Sequence, residues 1–220
     1  MPDLFFTADE HFDHLNIMRH CKRPFLTVDD MNAQLVKNWN DVVPKDGIVY
    51  IIGDFAWKRH LHWLMALNGK KILVIGNHDR ASQDVYRQFT EVHYGWLCRE
   101  INGRLVFMNH FPQDSWWGSF RGSWHLFGHC HGRMPEKKLI RCDVGVDVWH
   151  YTPIPWEVLV KKMEWMTEER KAYLATSPVG EEELDLRVND MRKLNERFIT
   201  EAGYSFSEKR LLLAEGTRPA

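Results

Sequence analysis

The chain has little that would staple it from outside its own core. Its 220 residues include only four cysteines, Cys21, Cys98, Cys130 and Cys142. None forms a short-spaced pair, so neither a disulfide framework nor a zinc-finger module is indicated. No apolar run approaches the roughly 20 residues that span a bilayer, and no membrane association is expected. Neither sign of charge dominates: 29 Lys and Arg stand against 30 Asp and Glu, a formal net charge of -1. That balance excludes a global basic field of the kind that holds nucleic acid by counterion release, so a nucleic-acid partner is not favoured. There is no solenoid-length repeat and no low-complexity tract. The sequence opens on a strand-like run rather than on a basic segment, an apolar stretch and a cleavage site. A reduced, cytoplasmic protein is the expectation.

What is present suffices for a core, since 44% of the residues are hydrophobic and a chain this long needs no metal merely to fold. The organising stretch is Val74-Ile75-Gly76-Asn77-His78-Asp79. A short apolar run stops at glycine and is followed at once by an amide, an imidazole and a carboxylate. Four other places repeat that form: residues 4–8 before Asp9 and His11, 48–52 before Gly53 and Asp54, 105–108 before Asn109 and His110, and 126–127 before Gly128, His129 and His131. Apolar runs this short, bounded by turn residues, read as buried strands. Five strands would then deliver Asp, Asn and His to one edge of a sheet.

Each motif has its own chemistry. On extended chain, residues two apart face one side, so Asp9 with His11, and His129 with His131, could each grip one ion; a polar loop is the alternative for the first pair. Asp54 has two oxygens and could bridge two cations, and Asn77 offers a neutral oxygen. His78 could donate a proton to a leaving oxygen, with Asp79 fixing its ring. Imidazole nitrogens suit Zn, Mn or Fe. Cys130 reads as packed rather than ligating, and Asp147 as structural.

Elsewhere, residues 12–23 read as a loop, and Thr27 caps a helix whose stripe is Met31, Leu35, Val36 and Trp39. Residues 59–67 and 84–89 read as short helices. Residues 93–101 and 105–108 form a hairpin about Asn102-Gly103, and residues 140–144 and 146–148 read as further strand. The segment 113–123, with Trp116, Trp117, Phe120 and Arg121, is either a substrate-facing rim or a hydrophobic lid. A helix begins at Trp156. From residue 177 the composition turns charged, Glu181-Glu182-Glu183 opening a helix that ends near Gly203 and serves as a docked helix or a partner-binding arm; the last residues read as loosely ordered. The domain is therefore set at residues 1–175, with a charged helical extension at 176–220.

Taken together, Asp9-x-His11, Gly53-Asp54, Gly76-Asn77-His78-Asp79, His110 and Gly128-His129-x-His131 resemble, in order, the five motifs of the calcineurin-like metallophosphoesterases, over residues 4–150. Within that family the opening Asp9-Glu10-His11-Phe12-Asp13-His14-Leu15-Asn16 looks like the small bacterial and phage phosphoesterases. Two positions differ from the commonest pattern: Asp13 stands where glycine is frequent, and Asn109 where serine is. The resemblance implies an α/β fold, a four-layer α/β/β/α sandwich of two mixed sheets flanked by helices. It implies two divalent metal ions, Mn first and Fe, Zn or Mg as alternatives. One would be held by Asp9, His11, Asp54 and His131, the other by Asp54, Asn77, His110 and His129, with His78 and Asp79 as catalytic residues and a metal-bridging hydroxide as nucleophile. The implied activity is phosphodiester hydrolysis on a small phosphoester, a nucleotide being one candidate. Phosphomonoesterase or nucleotide pyrophosphohydrolase activity on the same site, and a noncatalytic metal-binding scaffold, are the alternatives.

Overall fold

A computed structural model of the chain describes residues 2–134, 139–176 and 188–203. The short apolar runs are strands, and they sort into two sheets. In the first, β1 (Leu4–Thr7), β2 (Ile48–Ile51), β3 (Lys70–Val74) and β4 (Glu91–His93) are parallel, and β9 (Ile154–Pro155) lies antiparallel beyond β1. In the second, the hairpin β5 (Trp96–Ile101) and β6 (Arg104–Asn109) is followed by β7 (Trp124–Phe127) and β8 (Arg141–Asp143), both parallel to β6. Both sheets are mixed and helices flank them, an α/β fold. Asn102 and Gly103 turn the hairpin with φ of 48° and 78°, the pair of left-handed residues that a two-residue turn requires.

Side-chain alternation decides which face meets what. Phe6, Tyr50, Ile52, Ile72 and Val74 point into the space between the sheets, where they join Val106, Met108, Trp124, Leu126 and Cys142. Phe5, Val49, Ile51 and Leu73 point the other way, into a second core shared with α1 (Leu15–His20), α2 (Val28–Val42), α3 (His60–Ala66) and α4 (Gln83–Tyr86). Thr27 and Asp30 form a capping box at the start of α2 that satisfies the backbone amides of both residues, and the helix buries Met31, Leu35 and Trp39. Trp156, opening α5 (Trp156–Thr176), packs on Phe6 of one sheet and Trp124 of the other. Phe198 and Ile199 of α6 (Val188–Glu201) complete the same core. The described part of the charged extension is therefore a docked helix. Residues Glu181 to Leu186, the stretch 135–138, and the tail beyond Gly203 lie outside the described residues.

Three expectations change. Residues 12–23 hold a helix, α1, because Ile17 and Met18 turn together into the second core; six residues are too few to show a period. The run 93–101 divides between sheets at Gly95, whose φ of 89° reverses the chain after β4. Val146–Val148 is a 3-10 turn rather than strand, since Ala8 pairs with Gly145 just before it and the chain must bend under the first sheet's edge.

Candidate metal centre

The parallel strands β1, β2, β3, β6 and β7 all end at one edge, and the loops beyond them are laced together. The amides of Asp9 and His11 donate to the carbonyls of Gly53 and Asp54 at 3.0 Å each. Both Asp9 oxygens accept from the amide of His129, at 3.1 and 2.9 Å. Glycine is obligatory around these carboxylates. A Cβ on Gly128 or Gly145 would stand 2.7 Å from Asp9 Oδ2, and one on Gly76 or Gly53 would overlap the Asp54 carboxylate or the His110 ring.

Backbone geometry departs from the expected extended segments. Asp9, His11, Asp54, His129 and His131 all have positive φ, of 62°, 52°, 59°, 70° and 49°. Alternation along a strand is not what aims them; each sits in a left-handed turn just past a strand end. That conformation costs an L-residue about 1–2 kcal/mol, and it recurs at five positions along one edge. Asp13, also left-handed with φ of 63°, explains why glycine suits its position; here Asn32, Arg59 and Trp63 donate to its carboxylate. Asn109 uses its side-chain oxygen to accept from the Phe111 amide at 2.8 Å.

The side chains converge in two clusters. Ligand atoms of Asp9, His11 and His131 lie within 4.8 Å of one another, as do those of Asp54, His110 and His129. Asp54 Oδ2 joins them, 3.4 Å from His11 Nε2 and 3.3 Å from His110 Nε2. Asn77 Oδ1 is 3.1 Å from His110 Nε2. Asp54 Oδ1 is held separately by the His78 amide at 2.8 Å, which leaves Oδ2 as the shared atom.

Charge in the site is poorly accommodated by protein alone. Burial pushes Asp9 up to about 7, against the lowering pull of His131 and His110. Burial opposes protonation of His110, but its bond to Asp54 prevails and raises it to about 9. His131 likewise overcomes burial through the charge of Asp9 and its bond to Asp147, rising to about 11. Burial holds His11 well below the usual imidazole range, and its Nε2 is a buried nitrogen without a hydrogen-bond partner. An unpaired buried lone pair, two carboxylates, an amide oxygen and four imidazoles around a glycine-walled cradle fit divalent metal ions.

A second layer orients the imidazoles through their other nitrogens. His110 Nδ1 donates to Ile52 O at 2.8 Å, and His11 Nδ1 meets His14 Nδ1 at 3.1 Å. His131 Nδ1 bonds Asp147 Oδ2 at 2.7 Å. Asp147 is also gripped by Arg23 through Nε and Nη2, at 2.9 and 2.8 Å, while Arg23 donates to the carbonyls of Asp9 and Glu10. Asp147 therefore holds the His131 ring as well as the Arg23 guanidinium. Arg23 and Asp147 are 124 residues apart, and no local pattern pairs them.

Asp79 serves a different partner from the one its adjacency to His78 suggests. Its oxygens accept from the amides of Asp54, Phe55 and Gly76 at 2.8, 2.9 and 2.8 Å, so it pins the β2 and β3 loops together and does not hold the His78 ring. Three converging backbone donors outcompete one imidazole. His78 instead sits half-buried among aromatic rings, its centroid 5.4 Å from His11, 5.7 Å from His14 and 5.5 Å from Trp57. In the segment 113–123, Trp116 is buried against Ser123 and His125 as a lid, while Trp117 and Phe120 are exposed. Among the described residues no helix is long and apolar enough to cross a membrane.

No family model matches the chain. The uncharacterized protein MJ1445 of Methanocaldococcus jannaschii is 33% identical over 177 residues, covering 74% of this chain and 93% of its own. The gene 66 protein of Mycobacterium phage L5 is 35% identical over 184 residues, covering 68% and 88%. Among solved structures, AQ665 of Aquifex aeolicus, a protein of unknown function, matches with a TM-score of 0.60 at 21% identity, over 74% of this chain and all of that one. It shares the fold.

Proposed function

The chain belongs to one family with MJ1445 and the phage gene 66 protein, and from its own site we propose that it is a metal-dependent phosphoester hydrolase acting as a phosphodiesterase. The observation that carries this reading is the single carboxylate oxygen, Asp54 Oδ2, lying between two clusters of nitrogen and oxygen donors. Asp9, His11, Asp54 and His131 would hold one divalent ion, and Asp54, Asn77, His110 and His129 the other. When bound, such a pair supplies the charge that orients and neutralises a phosphoryl group and lowers the pKa of a water.

The protein's own groups do the rest. Asp54 keeps Oδ2 available because Oδ1 is occupied by the His78 amide. Asn77 adds a ligand without adding charge. Ile52 O and Asp147 fix the Nδ1 sides of His110 and His131, so Nε2 is the nitrogen each can present. His78, beside His11 and open on its outer side, would give its ring proton to the departing ester oxygen. A diester is favoured over a monoester because His11 and His78 stand together, offering a proton donor for an alkoxide leaving from a singly charged phosphate. Manganese is the proposed metal and a small phosphoester the proposed substrate.

Stripping the protein of metal and reloading it with Mn, Fe, Zn or Mg tests this, with bis- and mono-4-nitrophenyl phosphate as substrates. The expected result is metal-dependent turnover, fastest on the diester. Absence of turnover with all four metals would refute it.

A further inference from the structure

Two half-exposed aromatic rings flank the site, one against His14 and His78 and the other against His110 and His129. Trp57 is 46% exposed and lies parallel on His14, at 4.4 Å between centroids and 9° between planes, with the His78 ring 5.5 Å away. Phe111 is 45% exposed and packs on His129 at 4.6 Å and on His110 at 5.2 Å. Single exposed aromatics are ordinary; what sets these apart is that each rests on a histidine of the site and leaves much of its surface open beside it. Both are also fixed at the backbone. The Trp57 amide donates to Phe12 O at 2.8 Å, and that of Phe111 to Asn109 Oδ1 at 2.8 Å.

We propose that Trp57 and Phe111 are two aromatic subsites that take flat, π-bonded substituents on the two ester arms of the substrate. The assignment rests on the phosphoesterase reading for the position of phosphorus, at the metal pair between the two rings. A diester extends from that point in two directions, and a planar ring on either arm would stack on an indole or phenyl face already held in place. Such a contact is insensitive to the identity of the ring, since every base or aryl group has a π-face. The chemistry shared by possible ligands is the planar ring, carried either by a nucleobase or by a simple aryl group.

Calorimetric titration of the Mn-loaded protein with AMP, ribose 5-phosphate, phenyl phosphate and methyl phosphate separates these sources. AMP is expected to bind about tenfold more tightly than ribose 5-phosphate, the size of effect typical of one stacked base. Trp57→Leu or Phe111→Leu, each keeping apolar bulk, should reduce that advantage, and the double variant should abolish it without changing the affinity for ribose 5-phosphate or methyl phosphate. Trp57→Phe should retain it. A matching advantage of phenyl over methyl phosphate is expected of a contact that reads only the π-face; its absence would overturn the proposal as an aromatic stacking subsite. Equal binding of AMP and ribose 5-phosphate by the wild type, or an equal loss for both in the double variant, would overturn the proposal. If the base effect appears but no ester is hydrolysed, the phosphoesterase reading fails and the subsites stand. If bis-4-nitrophenyl phosphate is turned over and AMP gains nothing, the subsites alone fail.

Discussion

Replacing Asp147 by Asn removes one charge and no volume, and it strikes the proposed metal centre through one candidate ligand, His131. In the native site Asp147 accepts from His131 Nδ1 at 2.7 Å and from Arg23 Nε and Nη2 at 2.9 and 2.8 Å. Despite burial, those two cations hold its carboxyl well below the usual carboxylate range. An asparagine has one oxygen for three donors and presents an amide N–H to one of them. Loss of a carboxylate behind a ligating histidine weakens metal affinity by about 10–100-fold, which is about 1.4–2.7 kcal/mol. The ion held by Asp9, His11, Asp54 and His131 should show this loss, and the ion held by Asp54, Asn77, His110 and His129 should change much less. The uncompensated Arg23, which is buried, should also lower stability by roughly 3–5 kcal/mol, the range for breaking a buried pair from one side. Competition with a chelator, following the two binding steps separately on protein whose folding is verified by its melting curve, measures both effects. An Asp147→Asn protein that binds both ions as tightly as the wild type would refute the positioning role.

Four further outcomes follow from the same geometry. Metal uptake should expel protons from His110, raised to about 9, and His131, raised to about 11, so affinity should climb with pH from 6 to 9 and calorimetric heats should depend on buffer ionisation; heats independent of buffer would contradict it. In chelator the site's contribution to stability should fall as pH rises from 7 to 10, because His110 and His131 favour folding fully below their unfolded value of 6.5 and lose this towards about 9 and about 11; melting curves across that window report the sign, and a rise would contradict it. Gly76→Ala should drive a methyl group into the Asp54 carboxylate and lower metal affinity at least tenfold, whereas His78→Ala should keep both ions and slow esters with poor leaving groups by about 10²–10⁴, sparing good ones. Equal slowing of alkyl and nitrophenyl leaving groups by His78→Ala would remove the acid role.

The edge-forming strands were legible because their apolar runs are short and stop at glycine or directly at a polar residue, a signature that needs no long-range information. The left-handed turns that aim Asp9, His11, Asp54, His129 and His131 were not, since none of these positions is glycine and nothing in their neighbours announces a positive φ. Asp79 invited the wrong partner through adjacency to His78. Backbone amides of Asp54, Phe55 and Gly76 claim it instead, and amides leave no mark on a residue pattern. The tie from Arg23 through Asp147 to His131 was invisible for a different reason, being formed only when loops from opposite ends of the domain meet.

On the reading proposed above, Asp54 would stand between two cations. Anomalous diffraction from crystals soaked in Mn2+ addresses it directly. Two peaks roughly 3.5–4 Å apart are expected, each within bonding distance of the Asp54 carboxylate, one shared with Asp9, His11 and His131 and the other with Asn77, His110 and His129. A single peak, or a pair in which Asp54 touches only one ion, would contradict it.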